Sequence, residues 1–204
     1  MRRLIYVPII HTMADMGSKS EALRQESIRR FGVESWERSR RVIDDVWEGI
    51  RAKLLIRNLP WERVRIYQDG LPVSGKELEI ARGVAAQGSK NYQIVLELVD
   101  KGAKLIGTES PELLLREYAH VKQITEAQTD AEREEAKRSY AAESAEILKA
   151  RDTFIAQRIA ETLEEGEVAL LFLGMMHEVD RLLPEGIQVE FLIDRLPLWD
   201  AKER

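Results

Sequence analysis

The stretch VALLFLGMMH, residues 168–177, decides the fold class of this chain. Its first six residues are continuously apolar, which is typical of a strand that is covered on both faces. Gly174 ends the apolar run, and His177 follows it after two methionines. A glycine at a strand end lets the backbone turn or approach a ligand closely. The stretch therefore predicts a buried strand whose carboxyl end carries a candidate functional histidine.

Five apolar runs of this kind occur along the chain, and long helical patterns separate the first four. The runs are 4–10, 64–67, 103–106, 168–173 and 187–193. Strand, helix and strand in repetition favour a parallel sheet with helices on both sides. We therefore predict an α/β fold with a mostly parallel sheet of about five strands flanked by helices.

Local signals mark where the helices begin. Ser110 followed by Pro111 fits an N-cap with proline at the first helical position. Three pairs fit the capping box, namely Ser18 with Glu21, Ser74 with Glu77, and Thr129 with Glu132. Amphipathic spacing predicts a helix around 34–57 and a second whose inner face carries Leu114, Tyr118, Val121 and Ile124.

The segment 130–165 has a long helical pattern. A continuous helix of this length would extend about 54 Å, more than the width of a domain of this size. A projecting helical arm, a break near 140–145 and a dimer contact each explain the pattern. We treat residues 1–204 as a single α/β domain with 111–165 as a helical insertion or arm, through which a homodimer could form.

Composition limits the classes of partner and chemistry. The net charge of −5 offers no electrostatic footprint for nucleic acid. The absence of cysteine excludes disulfides, thiolate catalysis and Cys-ligated zinc. No run approaches the roughly 20 apolar residues of a membrane span, and the run 4–10 lacks the length and cleavage site of a signal peptide. We therefore expect a cytoplasmic protein with no nucleic-acid or membrane partner.

Polar residues follow every predicted strand. Ligands of open parallel sheets bind beyond the carboxyl ends of the strands. In chain order the residues at these ends are His11, Thr12, Asp15, Gln68, Asp69, Glu109, His177, Glu178 and Asp194. They include two of the three histidines of the chain, which we predict to face one shared site.

Each of these residues also has a purely structural explanation. His11 fits a helix cap, and Asp69, which precedes a glycine, is a common turn residue. Glu109 precedes a helix whose dipole an acidic side chain stabilises. The third histidine, His120, lies in the middle of a helical pattern, and we predict it to be a surface or packing histidine.

Arg151 lies on the inward stripe of its helix, four residues after Ile147 and four before Ile155. A buried guanidinium must be paired, because an unpaired buried charge is very costly. Arg151 is therefore either part of a structural ion pair or a cation that reaches the carboxylates or a substrate oxyanion. Asp152, at the margin of the stripe, could hold a histidine or the arginine.

The segment 151–161, RDTFIAQRIAE, followed by a strand and by GMMH at 174–177, resembles the C-terminal half of the TraB/Tiki and EreA/ChaN-like superfamily. In that superfamily an Arg–Asn/Asp pair opens a helix, and a strand and a GxxH motif follow. The hexapeptide ESPELL, which begins at Glu109, is similar to the acidic motif after the third strand. His11 matches the position of the first GxxH, although the sequence there is PIIH. The second strand ends in Gln68-Asp69, where many members have Glu.

The resemblance implies a fold and a site location more than a reaction. Tiki-like members resemble metal-dependent proteases, EreA-like members are esterases that use His and Glu, and ChaN-like members bind haem iron. Our first hypothesis is therefore a metal-dependent hydrolase, peptidase-like or esterase-like, with Mn, Co or Zn on His11, His177 and Glu109. Glu109 or Asp69 would take a proton from water, and Arg151 would stabilise the oxyanion.

Two alternatives stay open. A metal-free hydrolase would use one histidine as general base, oriented by Glu109 or Asp152, and its activity would resist chelators and rise near the ordinary pKa of histidine, about 6.5. A non-catalytic binding or regulatory protein would line an apolar pocket with methionines, namely Met13, Met16, Met175 and Met176. The substrate, a small molecule or a peptide, is not specified by the sequence.

Overall fold

The computed structural model describes residues 1–9, 25 and 28–193 and contains one five-stranded sheet. The strands are β1 (Arg2–Ile9), β2 (Val64–Gln68), β3 (Lys104–Ile106), β4 (Val168–Gly174) and β5 (Ile187–Phe191). Their order is β3-β2-β4-β1-β5, and every neighbouring pair is parallel. The predicted α/β fold with a parallel sheet is confirmed. Several predicted features lie outside the described residues, namely His11, Thr12, Met13, Asp15, Met16, the pair Ser18 and Glu21, and Asp194.

Five α-helices have both their ends in the described part of the chain, and residues 25 and 28–31 are helical as well. The five are α1 (Val33–Leu55), α2 (Glu77–Ala86), α3 (Lys90–Asp100), α4 (Pro111–Glu126) and α5 (Asp130–Thr162), with short 3₁₀ turns at Trp61–Arg63 and Val179–Arg181. None of these helices combines the length and the apolar composition that a membrane crossing requires.

Two of the predicted helix starts agree with the structure and one does not. The Ser110 side chain accepts from the backbone of α4, and Thr129 with Glu132 forms the predicted capping box of α5. The prediction for Ser74 was wrong, because α2 begins at Glu77 with Lys76 as its N-cap. The backbone N–H of Ser74 instead donates to Glu77 Oε1 (2.9 Å), so the pair closes the loop before the helix.

Apolar side chains cover both faces of the sheet. On one face α1 buries Trp47, Ile50 and Leu54, and α3 packs beside it. On the other face α5 buries Ile155 and Ile159 against the strands. The continuous apolar runs of the strands follow from this two-sided covering.

Helix α5 is one uninterrupted helix of 33 residues, about 50 Å long, so a break near 140–145, one of the three explanations for its length, is absent. Because α5 leads into a parallel strand, it runs antiparallel to the sheet, and its second half covers the strands. Its first half packs against α4, where Arg116 binds Glu143 and Tyr140 donates to Glu117 (2.9 Å). The predicted helical insertion is therefore a helical hairpin formed by α4 and α5.

The order of the strands creates a crevice between β2 and β4. The chain leaves β2 toward β3 at one edge of the sheet, and it leaves β4 toward β5 at the other. Two neighbouring strands whose connections diverge in this way form a topological switch point, where ligands of open α/β sheets bind. The residues after Gln68 and after Gly174 border this crevice.

Candidate functional site

Asp69 directly follows β2 and lies at the crevice. Its backbone N–H donates to the Phe172 carbonyl of β4 (2.9 Å), which continues the sheet ladder beyond the strand. Side chains alternate between the faces of a strand, so Asp69 faces α5, as Tyr67 does. Gly70 then turns the chain with a φ of 72°, a conformation that favours glycine. The Gly70 N–H donates to Glu109 Oε1 (3.2 Å), which joins the loops after β2 and β3.

Arg151 of α5 binds three carboxylates at once. Its Nε and Nη2 donate to the two oxygens of Glu109 at 3.0 and 2.6 Å. Nη2 also donates to Asp69 Oδ1 (2.8 Å), and Nη1 donates to Glu117 Oε2 of α4 (2.5 Å). Arg151, Asp69 and Glu109 are all buried. The guanidinium therefore joins the loop after β2, the loop after β3 and helix α4.

His177 is held by Asp152, the residue that follows Arg151. The Nδ1 atom of His177 is hydrogen-bonded to Asp152 Oδ1, and Asp152 Oδ2 accepts the Glu178 N–H (2.9 Å). Both side chains are buried. A carboxylate only accepts hydrogen bonds, so Nδ1 carries the proton and the lone pair of the neutral ring lies on Nε2.

The Nε2 atom of His177 lies 3.8 Å from Asp69 Oδ2. That oxygen also accepts the Gly174 N–H (3.0 Å), which ties Asp69 to the end of β4. Asp69 therefore contacts Arg151 through one oxygen and faces His177 through the other. The two hydrogen-bonded groups, one around Arg151 and one around His177, meet at this aspartate.

The site carries more negative than positive charge. Three carboxylates, those of Asp69, Glu109 and Glu117, contact the guanidinium of Arg151, and a fourth, that of Asp152, is hydrogen-bonded to the neighbouring His177. Burial raises the pKa of Glu109 above its ordinary value, although hydrogen bonds and the charge of Arg151 act in the opposite direction. Burial alone would lower the pKa of Arg151, but Glu109, Asp69 and Glu117 outweigh it and raise this pKa. Arg151 therefore stays charged. A proton on Glu109 would reduce the negative charge of the site, but the carboxyl groups of Asp69, Glu117 and Asp152 would still outnumber the one guanidinium.

Four of the five predicted site residues, Asp69, Glu109, Arg151 and His177, come together at the carboxyl edge of the sheet. The fifth, His11, lies outside the described residues. Both oxygens of Glu109 are engaged by Arg151, so the structure places Asp69 rather than Glu109 beside His177. The contacts of Arg151 with Asp69 and Glu109 fit both of its predicted explanations, a structural ion pair and a cation that reaches the carboxylates.

Sequence reasoning missed Glu117. Glu117 lies three residues after Leu114, which was predicted on the inner face of α4, and this spacing could have indicated that Glu117 faces inward too. His120 has the predicted packing role, because its ring packs in a tilted arrangement against Tyr140, with centroids 5.5 Å apart, and its Nε2 lies 3.5 Å from Glu143 Oε2. Tyr118, predicted on the inner face, is 51% exposed.

Comparisons with known proteins gave no match for this chain, neither to a protein-family model, nor to a curated protein, nor to a solved structure.

Proposed function

We propose that this protein is a metal-dependent hydrolase with its site at the crevice between β2 and β4. One observation carries the proposal: Asp152 binds Nδ1 of His177, and Nε2 is left 3.8 Å from Asp69 Oδ2. Metal-binding histidines commonly donate their other ring N–H to a carboxylate in this way, which fixes the tautomer and the ring orientation. The resemblance to the TraB/Tiki and EreA/ChaN-like superfamily is part of the same proposal.

The donor atoms fit a divalent cation. Two ligand atoms that share an ion at about 2.1 Å each lie at most about 4.2 Å apart, and the 3.8 Å between Nε2 and Oδ2 is within that limit. An imidazole with a carboxylate suits Mn, Co or Zn. In the described part of the chain no three His or carboxylate side chains are grouped as ready ligands. The proposal takes His11 as the third ligand, on the sequence alone.

The charge of the site supports the same conclusion. Three carboxylates around one guanidinium, with a fourth on the neighbouring His177, are unfavourable in a buried environment unless protons or a cation compensate their charge. A divalent cation beside Asp69 would offset this excess. It would supply Lewis-acid chemistry and lower the pKa of a water molecule.

The protein's own side chains then have distinct tasks. Asp152 keeps His177 in one tautomer, and Arg151 holds Asp69 in place through Oδ1. Asp69 Oδ2, which faces His177 Nε2, is a proposed ligand of the metal, and both oxygens of Glu109 are bound to Arg151, so the structure gives neither carboxylate a preference as the proton acceptor. Arg151 acts as a positioning residue, since each of its guanidinium nitrogens faces a carboxylate.

Calorimetric titration with Mn²⁺, Co²⁺ and Zn²⁺ tests the proposal. We expect one ion to bind per chain, and His177→Ala and Asp69→Asn to weaken binding at least about tenfold. His120→Gln is the matched control, because this histidine packs between α4 and α5 and should leave binding unchanged. An absence of binding by the wild type, or equal binding by His177→Ala and His120→Gln, contradicts the proposal.

The same hydrogen bond also favours a second candidate, a metal-free hydrolase. In this case His177 is a general base oriented by Asp152, and Nε2 takes a proton from the attacking water or hydroxyl. Hydrolysis of ester and peptide substrates, measured before and after exhaustive chelation, distinguishes the metal-dependent from the metal-free hydrolase. Full activity in chelator that is lost in His177→Ala supports the metal-free reaction, and activity restored only by added metal supports the first proposal.

A further inference from the structure

A groove of about 430 Å³ lies beside the Asp152–His177 pair, between α5 and the loop that follows β4. Its walls are largely apolar and come from Ala145 and Leu148 of α5 and from Met176 and Leu182 of the loop. This volume falls within the roughly 300–1,000 Å³ that is typical of small-molecule sites. The groove is lined by residues other than the proposed ligands of the metal.

The loop wall of the groove is apolar and exposed. Met176 is 60% exposed and Leu182 is 47% exposed, and Met175 beside them is 36% exposed. Large apolar side chains grouped on a surface indicate a binding site more often than isolated ones do. Methionine is flexible and polarisable, so it adapts to ligands of different shapes.

The charged residues of the groove differ in how far they are already paired. Arg181 binds Glu178 at 3.2 Å, so this pair is neutral as a whole. Asp152 borders the groove, but its two oxygens accept from His177 and from the Glu178 N–H. Lys149 is exposed and has no ion pair in the described part of the chain. The positive charge that the groove offers to a ligand is therefore the Lys149 ammonium, whereas both oxygens of Asp152 are already engaged by hydrogen bonds.

We propose that this groove binds a small amphipathic carboxylate, an organic acid with an aliphatic or aryl body. The body packs on Leu148, Met176 and Leu182, and the carboxylate pairs with Lys149. Apolar contacts and one charge pair together select such an acid over a neutral alcohol of equal length and over an amine. The inference is independent of the hydrolase proposal, because it concerns binding and not catalysis.

Octanoate, octanol and octylamine are suitable probes, because they share a chain length and differ in charge. Ligand-observed NMR and calorimetry on the full chain should show saturable one-to-one binding of octanoate. Lys149→Gln should weaken octanoate binding by about fivefold, the upper range for an exposed ion pair, and leave octanol unchanged. Leu182→Gln should weaken both probes.

Two variants serve as matched controls. Lys137→Gln removes an exposed lysine of the same helix that pairs with Glu134, and Leu115→Gln removes an apolar side chain of α4 that is 68% exposed. Neither should alter octanoate binding. The proposal is overturned by an absence of saturable octanoate binding, by octylamine binding as tightly as octanoate, or by Lys149→Gln and Lys137→Gln behaving alike.

Discussion

Asp152 of α5 accepts a hydrogen bond from Nδ1 of His177, which follows β4, so the proton and the lone pair of this imidazole have fixed positions. The second oxygen of Asp152 accepts the Glu178 N–H (2.9 Å), and this bond holds the loop that carries the histidine. The aspartate thus sets both the tautomer of the ring and the position of its backbone. The Nε2 atom is presented to Asp69 as a consequence.

Replacing Asp152 by Asn should change the tautomer of His177. An asparagine has one acceptor oxygen, and the Glu178 N–H requires it, so the amide NH₂ faces Nδ1 and the ring proton moves to Nε2. Two-dimensional ¹⁵N NMR of the imidazole nitrogens should show this exchange directly. Affinity for a divalent metal should fall about 10- to 100-fold.

Glu178→Gln is the control for this variant. Its side chain pairs with the exposed Arg181, and its backbone N–H to Asp152 is retained. The His177 tautomer should therefore be unchanged in Glu178→Gln. An unchanged tautomer in Asp152→Asn would show that Asp152 does not set it.

Removing the charge of Arg151 should strongly destabilise the fold. Arg151→Met leaves Asp69 and Glu109 buried without their cation, which typically costs about 3–5 kcal/mol in the free energy of unfolding. Arg138→Met is the control, because it lies on the same helix in an exposed pair with Glu135 and should cost less than about 1 kcal/mol. Urea unfolding of both variants at neutral pH measures the difference, and equal costs would refute a stabilising role for Arg151.

Glu109 should make the stability of the protein depend on pH. Burial raises its pKa in the folded state, so above the ordinary value of 4.5 the folded chain keeps a proton that the unfolded chain has lost. Its contribution to stability is complete below pH 4.5 and is lost as the pH rises through the folded-state pKa. The destabilisation caused by Glu109→Gln should therefore be largest near pH 4.5 and shrink toward pH 8.

Glu77→Gln should show the opposite trend. Burial acts to raise the pKa of Glu77, but the N–H groups of Ser74 and Gly75 outweigh it and lower this pKa. Its contribution is present above pH 4.5 and is lost as the pH falls through the folded-state pKa. Urea unfolding at several pH values compares the two variants, and each assignment is contradicted by a trend of the opposite sign in its own variant.

Much of the fold was predictable, because apolar periodicity reports burial directly. The continuous run 168–173 indicated a strand covered on both faces, and β4 is the central strand of the sheet. The position of Arg151 between Ile147 and Ile155 predicted a buried, paired guanidinium, and the structure pairs it with three carboxylates. These features depend on local spacing, which a sequence shows.

The hydrogen-bond and ion-pair partners of the site residues were less predictable, because they depend on which helices and strands become neighbours in space. Glu109 was predicted beside the histidines, but Arg151 engages both of its oxygens, and Asp69 takes the position facing His177. Glu117 joins the site only because α4 packs against α5. The start of α2 was misplaced because Glu77, the first residue of the helix, accepts from the Ser74 N–H of the preceding loop, which gives the same spacing as a capping box.

Two glycines provide the last prediction, because alanine should destabilise the protein at one and stabilise it at the other. A Cβ at Gly107, two residues before Glu109, would lie 2.7 Å from Glu77 Oε1 and 2.8 Å from Val73 Cα. The Glu77 oxygen cannot move freely, because it accepts from two backbone N–H groups of the preceding loop. Gly107→Ala should therefore cost about 1–3 kcal/mol.

A Cβ at Gly49, inside α1, would meet no atom of another part of the described chain within 4 Å, so Gly49→Ala should stabilise the fold by about 0.5–1 kcal/mol. Thermal and urea unfolding should show a lower free energy of unfolding for Gly107→Ala and a higher one for Gly49→Ala. Equal shifts in the two variants would contradict the packing of the loop after β3.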